Sequence, residues 1–314
     1  MPELRFDPLR QEWVAYNTER NDRTFLPTGS CPLCPSGTGG NSEIPLDDFE
    51  VVAFENRFPA IGPDASDLHE NHDGAGCEVI VYTPDHTLTL ARLPLERIRL
   101  LVDVWADRYE VLGSRPDVKY VFIFENKGEA IGVTLHHPHG QIYALPFIPP
   151  VAKLELAASR NQMDTTGGCL HCEQIEAELA SERLLFERAS VVAFVPHAAH
   201  WPYEVHVYPR RHVGSITALD SAERAGLAAA LRDVASGYDR HFGFSTPYVM
   251  AVHQAPTDGG RWPEAHLHVE FYPPHRRADR LKHLAGVELG AGTFVNDTRP
   301  EETASQLRQV MATL

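Results

Sequence analysis

The chain has 314 residues, of which 43% are hydrophobic and 23% charged, and a formal net charge of −15. That composition is ordinary for a globular enzyme of one large or two medium domains, and the acidic balance argues against general nucleic-acid binding, which wants a basic face. No window approaches the ~18 apolar residues of a membrane span, and the start, Met-Pro-Glu-Leu-Arg-Phe-Asp, has no basic region followed by an apolar core, so a cytoplasmic protein is expected.

In chain order, β-branched and aromatic runs predict strands at Glu12–Tyr16, Phe49–Phe54 and Cys77–Tyr82. Behind Pro94, the residues Ile98, Leu101, Val102, Trp105, Tyr109 and Leu112 form an i, i+3, i+4, i+7 stripe, which predicts a helix. Strands follow at Lys119–Glu125 and Gln141–Phe147, and the polar, glycine-containing stretch Gln162–Gly168 reads as a link. Beyond it, strands are predicted at Leu184–Glu187, Val191–Val195 and Tyr203–Tyr208. A second helix carries Leu227, Ala230, Leu231, Val234 and Tyr238 inward and opens on the capping-box pattern Asp220-x-x-Glu223. Strands at Tyr248–Val252 and His266–Tyr272 complete the series.

The order of metal-ligand residue types repeats. The first half offers Cys31-x-x-Cys34, then His86, then His137-x-His139; the second offers Cys169-x-x-Cys172, then His212, then His266-x-His268. In each half a helix and a strand fall between the lone histidine and the His-x-His. The fold expected is therefore α+β, a duplicated unit of mostly antiparallel sheet with flanking helices, its halves at 1–160 and 161–314. Only the first copy continues into Gly140-Gln141, so one catalytic site per chain is expected.

Paired thiols in a reducing compartment point to metal or redox chemistry rather than to a disulfide scaffold. Cys31, Cys34, His86 and His137 supply the four Cys/His ligands that a structural zinc favours. In the second half, Cys169, Cys172, His212 and His266 follow by analogy. A competing set, Glu155, His253, His266 and His268, would suit iron or zinc. Both sets claim His266, so one excludes the other, and the thiol set is favoured because thiolates hold zinc more tightly. Cys77, in a strand-like run, reads as a small core residue.

The segment His137-Pro138-His139-Gly140-Gln141 carries the chemistry. In an extended strand His137, His139 and Gln141 point to one side. With His137 a metal ligand, His139 is left as a nucleophile toward phosphorus, approached closely over Gly140. Gln141 and the Thr134 hydroxyl are candidates to stabilise phosphoryl oxygens, and Arg20 and Arg23 to pair with phosphates.

Together with Glu125-Asn126-Lys127-Gly128, Gly132, Phe54-Glu-Asn56-Arg-Phe58, Thr83-Pro-Asp-His86 and Phe271-Tyr-Pro-Pro274, this segment resembles the galactose-1-phosphate uridylyltransferase family of the histidine triad superfamily. The likeness extends over nearly the whole chain. It implies a double displacement in which UDP-glucose gives UMP to His139 and galactose 1-phosphate then takes it. It further implies that Arg20, Arg23, Asn56, Asn126 and Gln141 contact the UDP-sugar. Lys282 and Glu288 would touch the hexose or phosphate, in this family often across a homodimer interface. The second metal would be zinc or iron. The chain departs from the family pattern at Val133-Thr134, where many members have Cys-Ser, and at Val287, where many have Tyr; both departures bear on hexose specificity. Other readings of the same residues are an ADP-sugar phosphorylase or adenylyltransferase, a zinc-stabilised nucleotide-binding protein without turnover, and a simple histidine triad hydrolase.

Overall fold

The computed structural model describes residues 2–22, 24–27, 29–38, 42–62 and 74–312. Strands β1 (Glu3–Asp7) and β2 (Glu12–Tyr16) form a hairpin apart from the main sheet. The first half continues with β3 (Val52–Glu55), β4 (Gly76–Val81), α1 (Leu95–Gly113), β5 (Tyr120–Lys127) and β6 (His139–Leu145). Two helices, α2 (Pro150–Thr166) and α3 (Leu170–Leu179), bridge to the second half. There β7 (Leu184–Glu187), β8 (Val191–Phe194), β9 (Val205–Pro209), α4 (Ser221–Phe242), β10 (Tyr248–His253) and β11 (His268–Tyr272) follow. A short hairpin, β12 (His275–Arg277) with β13 (Arg280–Leu281), leads to α5 (Gly286–Ala291) and α6 (Pro300–Met311).

Nine strands form one antiparallel sheet in the order β3-β4-β6-β5-β10-β11-β9-β8-β7. The order mirrors itself about the β5–β10 pair. Strand β5 answers to β10, β6 to β11, β4 to β9 and β3 to β8, while α1 and α4 occupy matching places in the chain. The duplication read from the ligand order is thus a duplication of topology. The two copies are joined edge to edge, with Phe124 opposite Ala251 in the central register.

One core serves both halves. From α1, Leu101, Val102 and Trp105 pack with Leu231, Val234 and Tyr238 of α4 over the same sheet face. Each such side chain contributes about 1.5–3 kcal/mol by leaving water. The six stripe residues of α1 are all buried, and Asp220 and Glu223 form the reciprocal cap of α4. On β6 the pleat alternates: Gly140, Ile142 and Ala144 are buried and face the core, leaving His139, Gln141 and Tyr143 on the other face.

The link expected at 162–168 is mostly helix. Helix α2 starts on Pro150 at its first turn, runs through Thr166 and ends on Gly167 at φ +76°, a left-handed cap. It buries only Ala152, Leu156 and Ser159, too thin an apolar stripe to stand out as periodicity. The expected boundary between residues 160 and 161 falls inside this continuous helix.

Candidate active site and metal centres

The two imidazoles of the His-x-His run are held in opposite tautomers by backbone carbonyls. His137 Nε2 lies 2.7 Å from the Thr83 carbonyl, which only an N–H can satisfy, so its Nδ1 lone pair faces Cys34 Sγ at 3.5 Å. His139 Nδ1 lies 2.7 Å from the His137 carbonyl, so its proton sits there and the Nε2 lone pair is free. That Nε2 makes no hydrogen bond among the described residues. Burial holds the His139 pKa below the ordinary imidazole value and pushes that of His137 down to about 4. Both rings are therefore neutral at physiological pH, as a nucleophile and a metal ligand must be.

Gly140 is required at its position. A Cβ there would lie 2.3 Å from the Tyr82 hydroxyl and 3.0 Å from the Phe124 carbonyl oxygen. Tyr82 is fully buried and donates to Glu125, as does Tyr248, at 3.5 and 3.4 Å. Burial pushes the Glu125 carboxyl up to about 7. Neither the ring nor the carbonyl can yield cheaply. Gly140→Ala is expected to destabilise the protein by about 1–3 kcal/mol and to lower kcat more than KM, because the displaced residue adjoins His139. Urea denaturation beside steady-state kinetics checks this; wild-type values of both would show that the strand has room to move.

His139 lines two cavities. The smaller, of about 80 Å3, also takes in Gln141, Asn56 and Thr134 and has apolar walls from Leu33, Phe58 and Val79. The larger, of about 520 Å3, has mixed walls that include Asn126, Lys127, Glu129 and His136 beside Leu88, Val133 and Phe244. Gln141 Oε1 accepts from Asn56 Nδ2 (3.2 Å) and the Tyr143 hydroxyl (3.4 Å), which leaves its amide donors for phosphoryl oxygens. Arg20 donates to the Phe58 carbonyl at 3.0 Å and lines neither cavity itself. Arg23 lies outside the described residues. Lys282 and Glu288 pair with each other at 3.1 Å, and neither lines a cavity that holds His139. Cys77 is buried at 3% exposure against the Ile61 carbonyl.

Among the described residues three groups of side chains could hold a metal, each with ligand atoms within 4.8 Å of one another. The first is Cys31, Cys34, His86 and His137, the second Cys169, Cys172, His212 and His266. Burial pushes the Cys31 thiol up to about 11 and Cys172 to about 12. Paired half-buried thiolates need a cation to offset them, so the donor sets fit zinc. His266 repeats the geometry of His137: its Nε2 meets the Pro209 carbonyl at 3.1 Å and its Nδ1 lies 3.6 Å from Cys172 Sγ.

The third group corrects the competing set. It is Glu155, His253, His268 and Glu270, with Glu270 standing where His266 was expected. His268 Nδ1 meets the His266 carbonyl at 2.9 Å, as His139 meets that of His137, and its Nε2 lies 3.4 Å from Glu270. His253 Nδ1 lies 2.9 Å from Glu155. Burial disfavours charge on His253, but Glu270 and Glu155 outweigh it and raise its pKa to about 9. The thiol set and the carboxylate set share no residue, so the expected competition for His266 is absent. The signal for Glu270 was in the sequence: it follows His268 at the interval by which Gln141 follows His139. A carboxylate repels phosphate where a carboxamide attracts it. The space beside His268 is also nearly closed, at about 10 Å3, with Ala152, Glu155 and Leu156 of α2 in its walls.

Residues 1–149 match the family described as galactose-1-phosphate uridyl transferase, N-terminal domain, and residues 157–313 match its C-terminal domain. A galactose-1-phosphate uridylyltransferase of Thermotoga maritima is 40% identical over 98% of both chains. One from Streptomyces lividans is 40% identical over 98% of this chain and 87% of its own. A solved structure described as that of a uridylyltransferase superposes with a TM-score of 0.87 at 37% identity, covering 99% of each chain. An ADP-glucose phosphorylase of Arabidopsis thaliana, at 23% identity and a TM-score of 0.77, shares the fold.

Proposed function

The chain belongs to the galactose-1-phosphate uridylyltransferase family and transfers UMP between UDP-glucose and galactose 1-phosphate, and from that premise we propose that His139 is the residue that carries the UMP. The supporting observation is the fixed tautomer of His139, with Nδ1–H tied to a carbonyl, on a ring that lines both cavities. In the first step Nε2 attacks the α-phosphorus, the bond to the β-phosphate oxygen breaks, and glucose 1-phosphate leaves with the electron pair. The His137 carbonyl cannot take the Nδ1 proton, so the ring stays cationic and remains a good leaving group. In the second step a phosphate oxygen of galactose 1-phosphate attacks the same phosphorus, and His139 is released neutral. Gln141, Asn56 and Thr134 stabilise the oxygens in flight, with Arg20 and Arg23 adding positive charge. The test is to incubate the protein with uracil-labelled UDP-glucose and isolate it. Label retained on His139 and discharged by galactose 1-phosphate is expected; label released by water alone would indicate a hydrolase.

The first thiol set holds zinc structurally, since protein fills all four positions. We assign zinc to the second thiol set as well, and zinc or iron to the carboxylate set, whose mixed donors suit either. Because the sets are disjoint, three metals per chain are expected. Cys172→Ser should remove one and Glu155→Gln a different one, each leaving the other two. Metal analysis of the wild type and both variants decides: two metals per chain in the wild type, with one of the two variants losing none, would restore the competition.

Among the described residues no helix is long and apolar enough to cross a membrane. Free thiols in metal sets suit a reducing cytoplasm. Lys282 and Glu288 lie beside exposed Val287, Leu289 and Val295, which supports a homodimer in which a partner brings this segment to the hexose. Size measurement by light scattering tests it.

A further inference from the structure

The smaller cavity holds a carboxyl that the transfer chemistry leaves unused, that of Glu43, with the Arg57 side chain also in its walls. Its backbone is fixed. Glu43 N donates to the Pro32 carbonyl at 2.8 Å, and the neighbouring Ile44 is buried and bonded through its own N–H to Ser42 Oγ. The side chain is therefore delivered to the cavity from an anchored turn. Its two oxygens make no hydrogen bond among the described residues. Burial raises its pKa, and Arg57 opposes this only in part. A half-desolvated carboxyl with unspent lone pairs is costly until a donor reaches it.

The substrate has to supply that donor. With the reacting phosphorus at His139, its two arms extend into the two cavities. The roomy one, with Asn126, Lys127 and His136 among its walls, suits a hexose phosphate. The narrow one, walled by Leu33, Val79 and Phe58, suits a flat base. Resting on the uridylyl-transfer reading above, we infer that Glu43 reads the base by accepting the imide N3–H of uracil. Cytosine presents a lone pair at that ring position, which a carboxylate repels, so one acceptor gives both attraction to uracil and rejection of cytosine.

The test compares kcat/KM for UDP-glucose and CDP-glucose as nucleotidyl donors to galactose 1-phosphate. Wild type should prefer UDP-glucose. In Glu43→Gln the amide can turn either its oxygen or its NH2 toward the base, so it serves both. The preference for UDP-glucose should collapse by at least about tenfold, mainly through gain with CDP-glucose. Glu43→Ala removes the acceptor and should lower kcat/KM for UDP-glucose by roughly 10–100-fold. Metal content and the thermal transition of both variants should stay close to wild type, since the carboxyl makes no hydrogen bond among the described residues and only a charge interaction with Arg57. An unchanged UDP-to-CDP ratio in Glu43→Gln, with the wild type still acquiring UMP from UDP-glucose, overturns the assignment of Glu43 alone. A wild type that never acquires UMP overturns the transfer reading itself. Wild-type use of CDP-glucose equal to that of UDP-glucose also removes Glu43 as the reader.

Discussion

His139→Gly is expected to abolish UMP transfer, with a fall in kcat on the order of 10⁴-fold or more, while the fold and the metal content persist. The reason is geometric. Four other residues complete the first metal set, so His139 ligates nothing in it, and among the described residues its one hydrogen bond runs to the His137 carbonyl. Removing the ring opens space on the cavity side of β6 and disturbs no core contact. The measurement is double-displacement turnover with UDP-glucose and galactose 1-phosphate, alongside intact-mass detection of the UMP adduct. Substantial turnover in the glycine variant without added imidazole would mean that another group is the nucleophile. Loss of metal along with activity would mean that His139 belongs to the metal set.

Cys31→Ser carries the largest expected effect on stability. A zinc bound by Cys31, Cys34, His86 and His137 ties the loop before β3 to the loops that follow β4 and precede β6. Among the described residues only a few hydrogen bonds join these loops directly, such as Leu26 N to the Thr134 carbonyl and His137 Nε2 to the Thr83 carbonyl, so the metal would be their strongest crosslink. Losing a thiolate should release about one metal per chain and lower stability by several kcal/mol, or roughly 5–10 °C in the thermal midpoint for a chain of this size. Activity should fall further than stability, because His137 is two residues from the nucleophile and supplies the carbonyl that fixes its tautomer. Metal content and the thermal transition are to be measured on the same preparation. An unchanged zinc content would show that the first set has been misassigned.

Much of the site was legible because its residues are close in sequence or repeat in order. The His137–Gln141 run states its own geometry: a period-two strand puts three side chains on one face. The two Cys-x-x-Cys pairs, each followed by a lone His and a His-x-His, gave both thiol sets in full. The helix stripes of α1 and α4 were readable because each buries a wide apolar face. Helices α2 and α6 were not, since each buries only three residues.

The sequence by itself determined the duplicated unit, singled out His139 as the candidate nucleophile and named the eight Cys and His residues that gather in the two thiol groups, because local periodicity and ligand order depend only on neighbours along the chain. The tertiary structure alone decided which distant side chains meet. It put Glu155 of α2 together with His253, His268 and Glu270, since two helices and three strands separate α2 from β10 and so long a separation leaves no pattern in one sequence. It separated the two metal sets that seemed to share His266, because the two nitrogens of that ring are committed to the thiols and to the Pro209 carbonyl. It also closed the second copy's cavity and left the first open, through the path of one helix whose weak apolar stripe gave no hint of where it packs.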